Sequence, residues 1–209
     1  MANAGNHPAG CACGCHEEAD AEGESLYSLI DVEKVRALNE EEEGSAKTVF
    51  RPQEFRADKS CRVVSNEGDP ELIIHVPFTA AAKIKSVCIA GDGDAQHPVE
   101  VRLFTNRDDI DFENGHELKA TQVLALNVDV AGEIDYPLRT SKFSSVHTLT
   151  MFFTRSVGGE DTECKIHYIG FKGVNMKWKR GIVDAVYEVR PTAKALEDPA
   201  TAAASVGKA

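Results

Sequence analysis

The densest chemistry in the chain lies at residues 7–16, HPAGCACGCH, where three of the six cysteines and two of the seven histidines fall within ten positions. A redox dithiol needs two cysteines spaced Cys-x-x-Cys, so that one thiolate is stabilised and the other resolves. No pair in the chain has that spacing. Haem attachment needs Cys-x-x-Cys-His, and Cys13-Gly14-Cys15-His16 is one residue short of it. Zinc suits the donor set better: Cys11 and Cys15 have three residues between them, with Cys13, His16 and His7 as further ligands. Structural zinc sites usually draw ligand pairs from separate elements, whereas these five residues would share one loop. The expectation is a thiol-rich tail able to chelate Zn²⁺ or soft Cu(I), with no catalytic, cofactor or metal residue assigned.

Other constellations read as structure rather than chemistry. Asp109-x-Asp111-x-Glu113-Asn114-Gly115 has the start of a calcium loop, but positions six and twelve, counted from Asp109, are Asn114 and Ala120 instead of Gly and Glu. It is expected to be a solvated acidic turn between strands. Gly91-Asp92-Gly93 lacks the third glycine of a dinucleotide loop and a following helix. His75, His97, His116, His147 and His167 are dispersed, and no nucleophile-elbow pattern supplies a partner nucleophile. Each is expected to be a surface or strand residue. Lys177-Trp178-Lys179-Arg180 sets an aromatic between cations, and is read as a strand edge protected by charge, with a partner contact second.

The elements that must position these residues follow from composition. Residues 1–24 contain no Val, Ile, Leu or aromatic side chain, so nothing there offsets the entropy of ordering, and a mobile tail is expected. Asp31 can cap a short helix carrying Val32, Val35 and Leu38 on one side, ended by Glu40–Glu43 and Gly44. From Cys61 onward the texture is short strands: Cys61–Val64, Glu71–Val76, Lys83–Ile89, Val99–Phe104, Thr121–Asn127, Ile134–Leu138, Val146–Phe153, Lys165–Phe171 and Ile182–Val189. Leu149, Met151 and Phe153 alternate with Thr148 and Thr150, the period of a strand with one buried face. Turn formers separate the runs, as at Glu67-Gly68-Asp69-Pro70, Gly91–Asp94, Glu113-Asn114-Gly115 and Gly158-Gly159. The expected fold is an all-β sandwich of jelly-roll type, with the short N-terminal helix and flexible tails.

The net charge of −11 argues against a general nucleic-acid binder. No stretch approaches the ~20 apolar residues of a membrane span. The first residues lack the basic and apolar regions of a secretory signal. Cys61, Cys88 and Cys164 lie far apart in strand-like runs and are expected to be buried thiols rather than disulfides. No Asn-x-Ser/Thr acceptor occurs. These features predict a cytoplasmic protein, with the nucleus as a second compartment, that engages neither membrane nor nucleic acid.

Taken in order, several stretches resemble the PITH domain, the C-terminal module of thioredoxin-like proteins that associate with the proteasome. They are Ile30-Asp31 with Leu38-Asn39-Glu40, Val49-Phe50-Arg51-Pro52, Glu71–Phe78 with Lys83–Ser86, His97-Pro98 with Val101–Asn106, Lys142–Val146, and Tyr168–Gly173. Two stretches depart from the pattern: Gly68 and Pro70 dilute an acidic run, and Leu118-Lys119-Ala120 lacks a proline. The similarity is to stand-alone members without a thioredoxin domain, so redox activity is not implied. It implies a galactose-binding-like β-sandwich over residues 24–190, flanked by flexible tails at 1–23 and 191–209. It also implies a non-enzymatic, monomeric module without cofactor that docks on the 26S proteasome regulatory particle. The alternatives are a jelly-roll binder of a small ligand or glycan, by analogy of fold, and metal handling through Cys11, Cys13, Cys15, His16 and His7.

Overall fold

One long strand frames the domain in the computed structural model, which describes residues 23–176. Strand β4 runs unbroken over Leu72–Gly91 where two strands, Glu71–Val76 and Lys83–Ile89, were expected. Its first half pairs antiparallel with β8 (Val146–Ser156), from Leu72↔Phe153 to Pro77↔Thr148. After a register shift between Pro77 and Ala82, its second half pairs with β9 (Lys165–Asn175), from Ala82↔Asn175 to Gly91↔Ile166. Pro77 lacks the N–H a ladder would need and marks the irregularity. Three alanines, Ala80 to Ala82, offer no bulk against the bend that carries the strand between layers.

Two antiparallel layers are thereby joined through β4. The first adds β2 (Arg36–Leu38), β5 (Pro98–Thr105) and β6 (Gln122–Ala125) to β4 and β8. The second adds β1 (Glu24–Ser25), β3 (Val63–Val64) and β7 (Asp135–Pro137) to β4 and β9. Leu72, Ile74 and Val76, with Val101, Leu103, Leu149, Met151 and Phe153, point inward and meet Ile84, Val87, Ile89, Ile166, Ile169 and Phe171 of the other layer. The period-two expectation for Leu149, Met151 and Phe153 holds in β8 of the first layer. In the second a bulge between Ile84 and Ser86 re-phases the inward set.

A second, smaller apolar cluster covers the outside of the first layer. Ile73, Phe104 and Phe152 face outward there and are buried with Ile110 beneath helix α2 (Phe112–Glu117). The helix lies close because Gly115 has no side chain: an added Cβ would stand 2.8 Å from the Phe152 ring. This corrects the expected solvated turn. Asp111 caps the helix, its side chain accepting from the Asn114 N–H while the Asn114 side chain accepts from the Asp111 N–H.

The N-terminal helix expected from Asp31 to Leu38 is also absent. Asp31 accepts from Lys34 Nζ at 2.7 Å rather than from a backbone N–H, a single 3-10 turn spans Val32–Lys34, and Val35 is extended. Arg36–Leu38 then pairs with Ile73–His75, so sheet hydrogen bonds and burial of Val35 outweigh a weak helical period. The acid run contributes elsewhere: the Glu40 carboxylate accepts from the N–H groups of Gly44 and Ala46 and starts the one-turn helix α1 (Ser45–Thr48). Of Cys61–Val64 only Val63–Val64 is strand. Cys88 and Cys164 are buried free thiols, whereas Cys61 is half-buried and also free. Among the described residues no helix is long and apolar enough to cross a membrane. The expected strand Ile182–Val189 and the Lys177–Arg180 stretch lie outside the described residues, as does the 7–16 cluster.

Candidate interaction surface

Because β4 bends back on itself, its first and last residues meet at the same end of the sandwich. The end of β8 and the starts of β5 and β9 reach that end too. The segments 53–62, 65–71, 91–97, 126–134 and 157–164 therefore gather there, and polar contacts tie them together. Lys59 Nζ stands 3.1 Å from Asp92 Oδ1, and Lys165 Nζ stands 3.7 Å from Asp92 Oδ2. Lys165 also donates to Gln96 Oε1, Gln96 Nε2 donates to Glu163 Oε2 at 2.8 Å, and Glu163 Oε1 accepts from the Gly68 N–H. Burial opposes ionisation of Asp92, but the Lys59 hydrogen bond and the charges of Lys59 and Lys165 outweigh it and hold the carboxyl below its ordinary value. The Gln96 hydrogen bond, more than any other contact, lowers Glu163 in the same sense.

Beside this end, on the outer face of the first layer, a cleft of about 520 Å³ opens between helix α2 and the 157–164 hairpin. Its floor is Glu100 and Arg102 of β5 with Thr154 of β8; its walls are the Asp69–Glu71 turn, His116, Arg155 and Glu160. Most polar groups in it already have partners. His116 Nε2 lies 2.6 Å from Glu71 Oε1, and its ring meets Phe152 edge-on at 4.9 Å. Arg102 Nη1 donates to the carbonyls of Gly115 and His116. Glu100 accepts from Thr154 Oγ1 at 3.2 Å and from Arg155 Nη2 at 3.1 Å. Asp69 accepts from Asn39 Nδ2 and from the Glu71 N–H. Thr154 is the one side-chain hydroxyl lining the cleft, and it donates to a carboxylate that Arg155 shares.

The expected histidine roles divide. His75 and His167 are strand residues, but both are buried, and His97 is buried in a turn. Burial holds the imidazoles of His75 and His167 below their ordinary value, against the opposing charges of Asp108 and Asp92 respectively. His116 and His147 are exposed. Among the described residues no group of three or more His, Cys, Asp or Glu is placed to hold a metal ion. Sequence reading assigned Glu100, Arg155 and Lys59 no functional role, and Asp92, Glu71 and Arg102 none beyond a turn, a strand start and a family stretch, because the partners Lys59, His116 and the Gly115 carbonyl lie distant along the chain. The near-contiguous signals were the turn formers at 67–70, 91–94 and 158–159, which do mark three of the converging loops.

The layered antiparallel architecture with its joined sheets is a galactose-binding-like jelly roll. It is similar to the CBM32-1 and CBM32-2 domains from Clostridium perfringens ZmpB in complex with GalNAc, with a TM-score of 0.52 and 8% identity, covering 71% of this chain and 35% of that one. It is also similar to a CBM32 domain from Clostridium perfringens in complex with GalNAc-β-1,3-galactose, with a TM-score of 0.50 and 11% identity, covering 72% of this chain and all of that one. These likenesses concern the fold alone.

The chain belongs to the PITH domain family, which it matches over residues 16–191. A PITH domain-containing protein of Drosophila pseudoobscura pseudoobscura is 41% identical over 170 residues, 81% of this chain and 79% of the relative. PITH domain-containing protein 1 of Homo sapiens is 37% identical over 168 residues, 78% of each chain. The Dictyostelium discoideum protein of the same name is 36% identical over 167 residues, 80% of this chain and 81% of the relative. Membership makes the domain a PITH-type protein-interaction module.

Proposed function

We propose that this protein is a non-enzymatic adaptor that docks on the regulatory particle of the 26S proteasome, in the cytoplasm and the nucleus. The observation that carries the reading is the family match, which spans residues 16–191 and therefore the whole described sandwich. The geometry is in keeping with it: the loops at one end are tied to each other by ion pairs and hydrogen bonds. Affinity capture from cell lysate tests the proposal, using the full chain and a chain lacking residues 1–24. Enrichment of regulatory-particle subunits by both is the expected result. If neither enriches proteasome subunits over a tag-only control, the proposal is wrong.

A further inference from the structure

The loops gathered at the open end of the sandwich are strongly polarised. Segments 65–71, 91–97, 126–134 and 157–164 together hold ten Asp and Glu residues and no Lys or Arg. With segment 53–62, which adds Glu54 and Asp58 but also Arg56, Lys59 and Arg62, the end holds twelve acids and three cations, a net −9, in a chain whose entire net charge is −11. Asp129 alone of the ten is buried, so nine contribute to the surface. Three of the neighbouring cations are engaged, Lys59 and Lys165 by Asp92 and Arg155 by Glu100, while Arg62 is exposed. Arg56 packs its stem along Gly132. Glu67, Asp94, Glu133, Glu160 and Asp161 are exposed, with no cationic partner among the described residues.

Within this field lie apolar side chains that the fold leaves uncovered. Val128 is 50% exposed, Val157 49% and Val130 37%, and Phe55 on the adjoining turn is 48% exposed. Single exposed apolar residues are ordinary, but these occupy loops that touch one another. Val128 and Val130 both lie against Gly93, where an added Cβ would come within 2.8 Å of Val130. The Val157 N–H donates to the His97 carbonyl, placing it beside the 91–97 loop. An apolar centre within a charged rim, on loops already fixed by internal bonds, is the anatomy of a preorganised interface.

We infer that this end is the docking face, and that its partner is a protein surface carrying an apolar pocket ringed by lysine and arginine. The inference rests on the reading of the chain as an interaction module and adds the face and the chemistry it selects. Charge decides the occupant. A second copy of the chain or a nucleic acid would bring like charge against these carboxylates, whereas a basic surface is steered toward them. The valines and Phe55 then supply the burial that charge pairs at a wet rim do not.

The test uses two variants of the full chain. One changes the face (V128A/V157A/E160Q/D161N); the other makes changes of the same kinds at exposed residues of the opposite end, beside Pro77 and Ala81 (V174A/M176A/E33Q/D108N). Each is used for proteasome capture and, ¹⁵N-labelled, for NMR titration with a ten-residue peptide alternating lysine and leucine. The face variant is expected to lose about tenfold in captured subunits, while the control variant stays near the unsubstituted chain. The peptide is expected to shift amides of 91–97, 126–134 and 157–164, with roughly fivefold weaker binding to the face variant and weakening by salt. Equal capture by both variants overturns the inference and leaves the proteasome reading intact. If the unsubstituted chain captures no proteasome, that reading falls and the peptide titration alone decides the face; shifts scattered over the domain, or equal weakening in both variants, then overturn it. Thermal melting checks that the variants fold, and E160Q/D161N, at two exposed carboxylates, replaces the face variant if it does not.

Discussion

His97 Nε2 accepts the backbone N–H of Asp129 at 3.1 Å, while His97 Nδ1 lies 2.7 Å from the Pro98 carbonyl oxygen. Since Nε2 must accept, the proton sits on Nδ1 and is donated to Pro98, so the imidazole is neutral and its tautomer is set. Asp129 in turn collects the N–H groups of Ala131, Gly132 and Ile134 on its carboxylate. A histidine in one loop thereby organises the backbone of another. Replacing His97, which is fully buried, by Ala is expected to cost about 2–4 kcal/mol, from the cavity and the unpaired Asp129 N–H. Urea denaturation checks this, and amide exchange of residues 129–134 should quicken more than exchange in β9.

Acid should destabilise the fold through two other histidines. His75 is buried, its Nδ1 2.9 Å from Thr150 Oγ1, and the buried ring of His167 has only a weak contact with the Val130 backbone among the described residues. Burial keeps both below the ordinary 6.5 in the folded state. The unfolded chain then binds more protons below about pH 6.5, so stability is fully present above that pH and falls as pH drops through it. The slope has a ceiling of about 1.4 kcal/mol per pH unit for each histidine. Urea titrations between about pH 7.5 and 5 measure it, and H167L should flatten the slope because it removes one of the two titrating rings.

The three described cysteines should differ in reactivity. Burial pushes the Cys88 thiol up to about 12, and raises Cys164 as well. Cys88 further donates to the Gly132 carbonyl, whereas Cys61 is half-buried. Peptide-resolved mass spectrometry after brief iodoacetamide treatment of native protein should find Cys61 alkylated and Cys88 and Cys164 spared. Urea should remove the difference. Rapid labelling of Cys88 in native protein would contradict its placement.

Gly173 is expected to be the least replaceable glycine in β9. It pairs with Ile84 of β4 and Glu24 of β1, and an added Cβ would fall on the Lys83 carbonyl oxygen, a backbone atom that cannot turn aside. G173A should therefore cost more than about 2 kcal/mol. Gly44 has open space around it and only its positive φ of 85° to defend, so G44A should cost about 1 kcal/mol. Comparing the two midpoints in urea separates steric collision from backbone conformation.

The strands of the first layer were legible because Leu149, Met151 and Phe153 alternate with threonines, a local signal of one buried face. Two places misled. Val32, Val35 and Leu38 keep helical spacing, yet Arg36–Leu38 pairs with β4 because an open strand edge lay within reach. The Asp111–Asn114 capping box was read as a solvated turn, since the helix it starts is only six residues long and is held mainly by Phe152 beneath it.

Composition and local spacing by themselves determined that this chain forms a β-sandwich, that no dithiol or haem motif is present, and which segments turn. They also set the acidity of each loop, residue by residue. Which loops share an end was decided only in three dimensions, by the bend of β4 between Pro77 and Ala82 that returns Gly91 to the end where Leu72 began. That bend brings Asp92 to Lys59, and Val128 to Gly93. Alternation reports which way a side chain faces within its own strand, but it carries no information about which distant strand lies alongside. Pairing is settled by the burial and hydrogen bonding of the whole sheet at once.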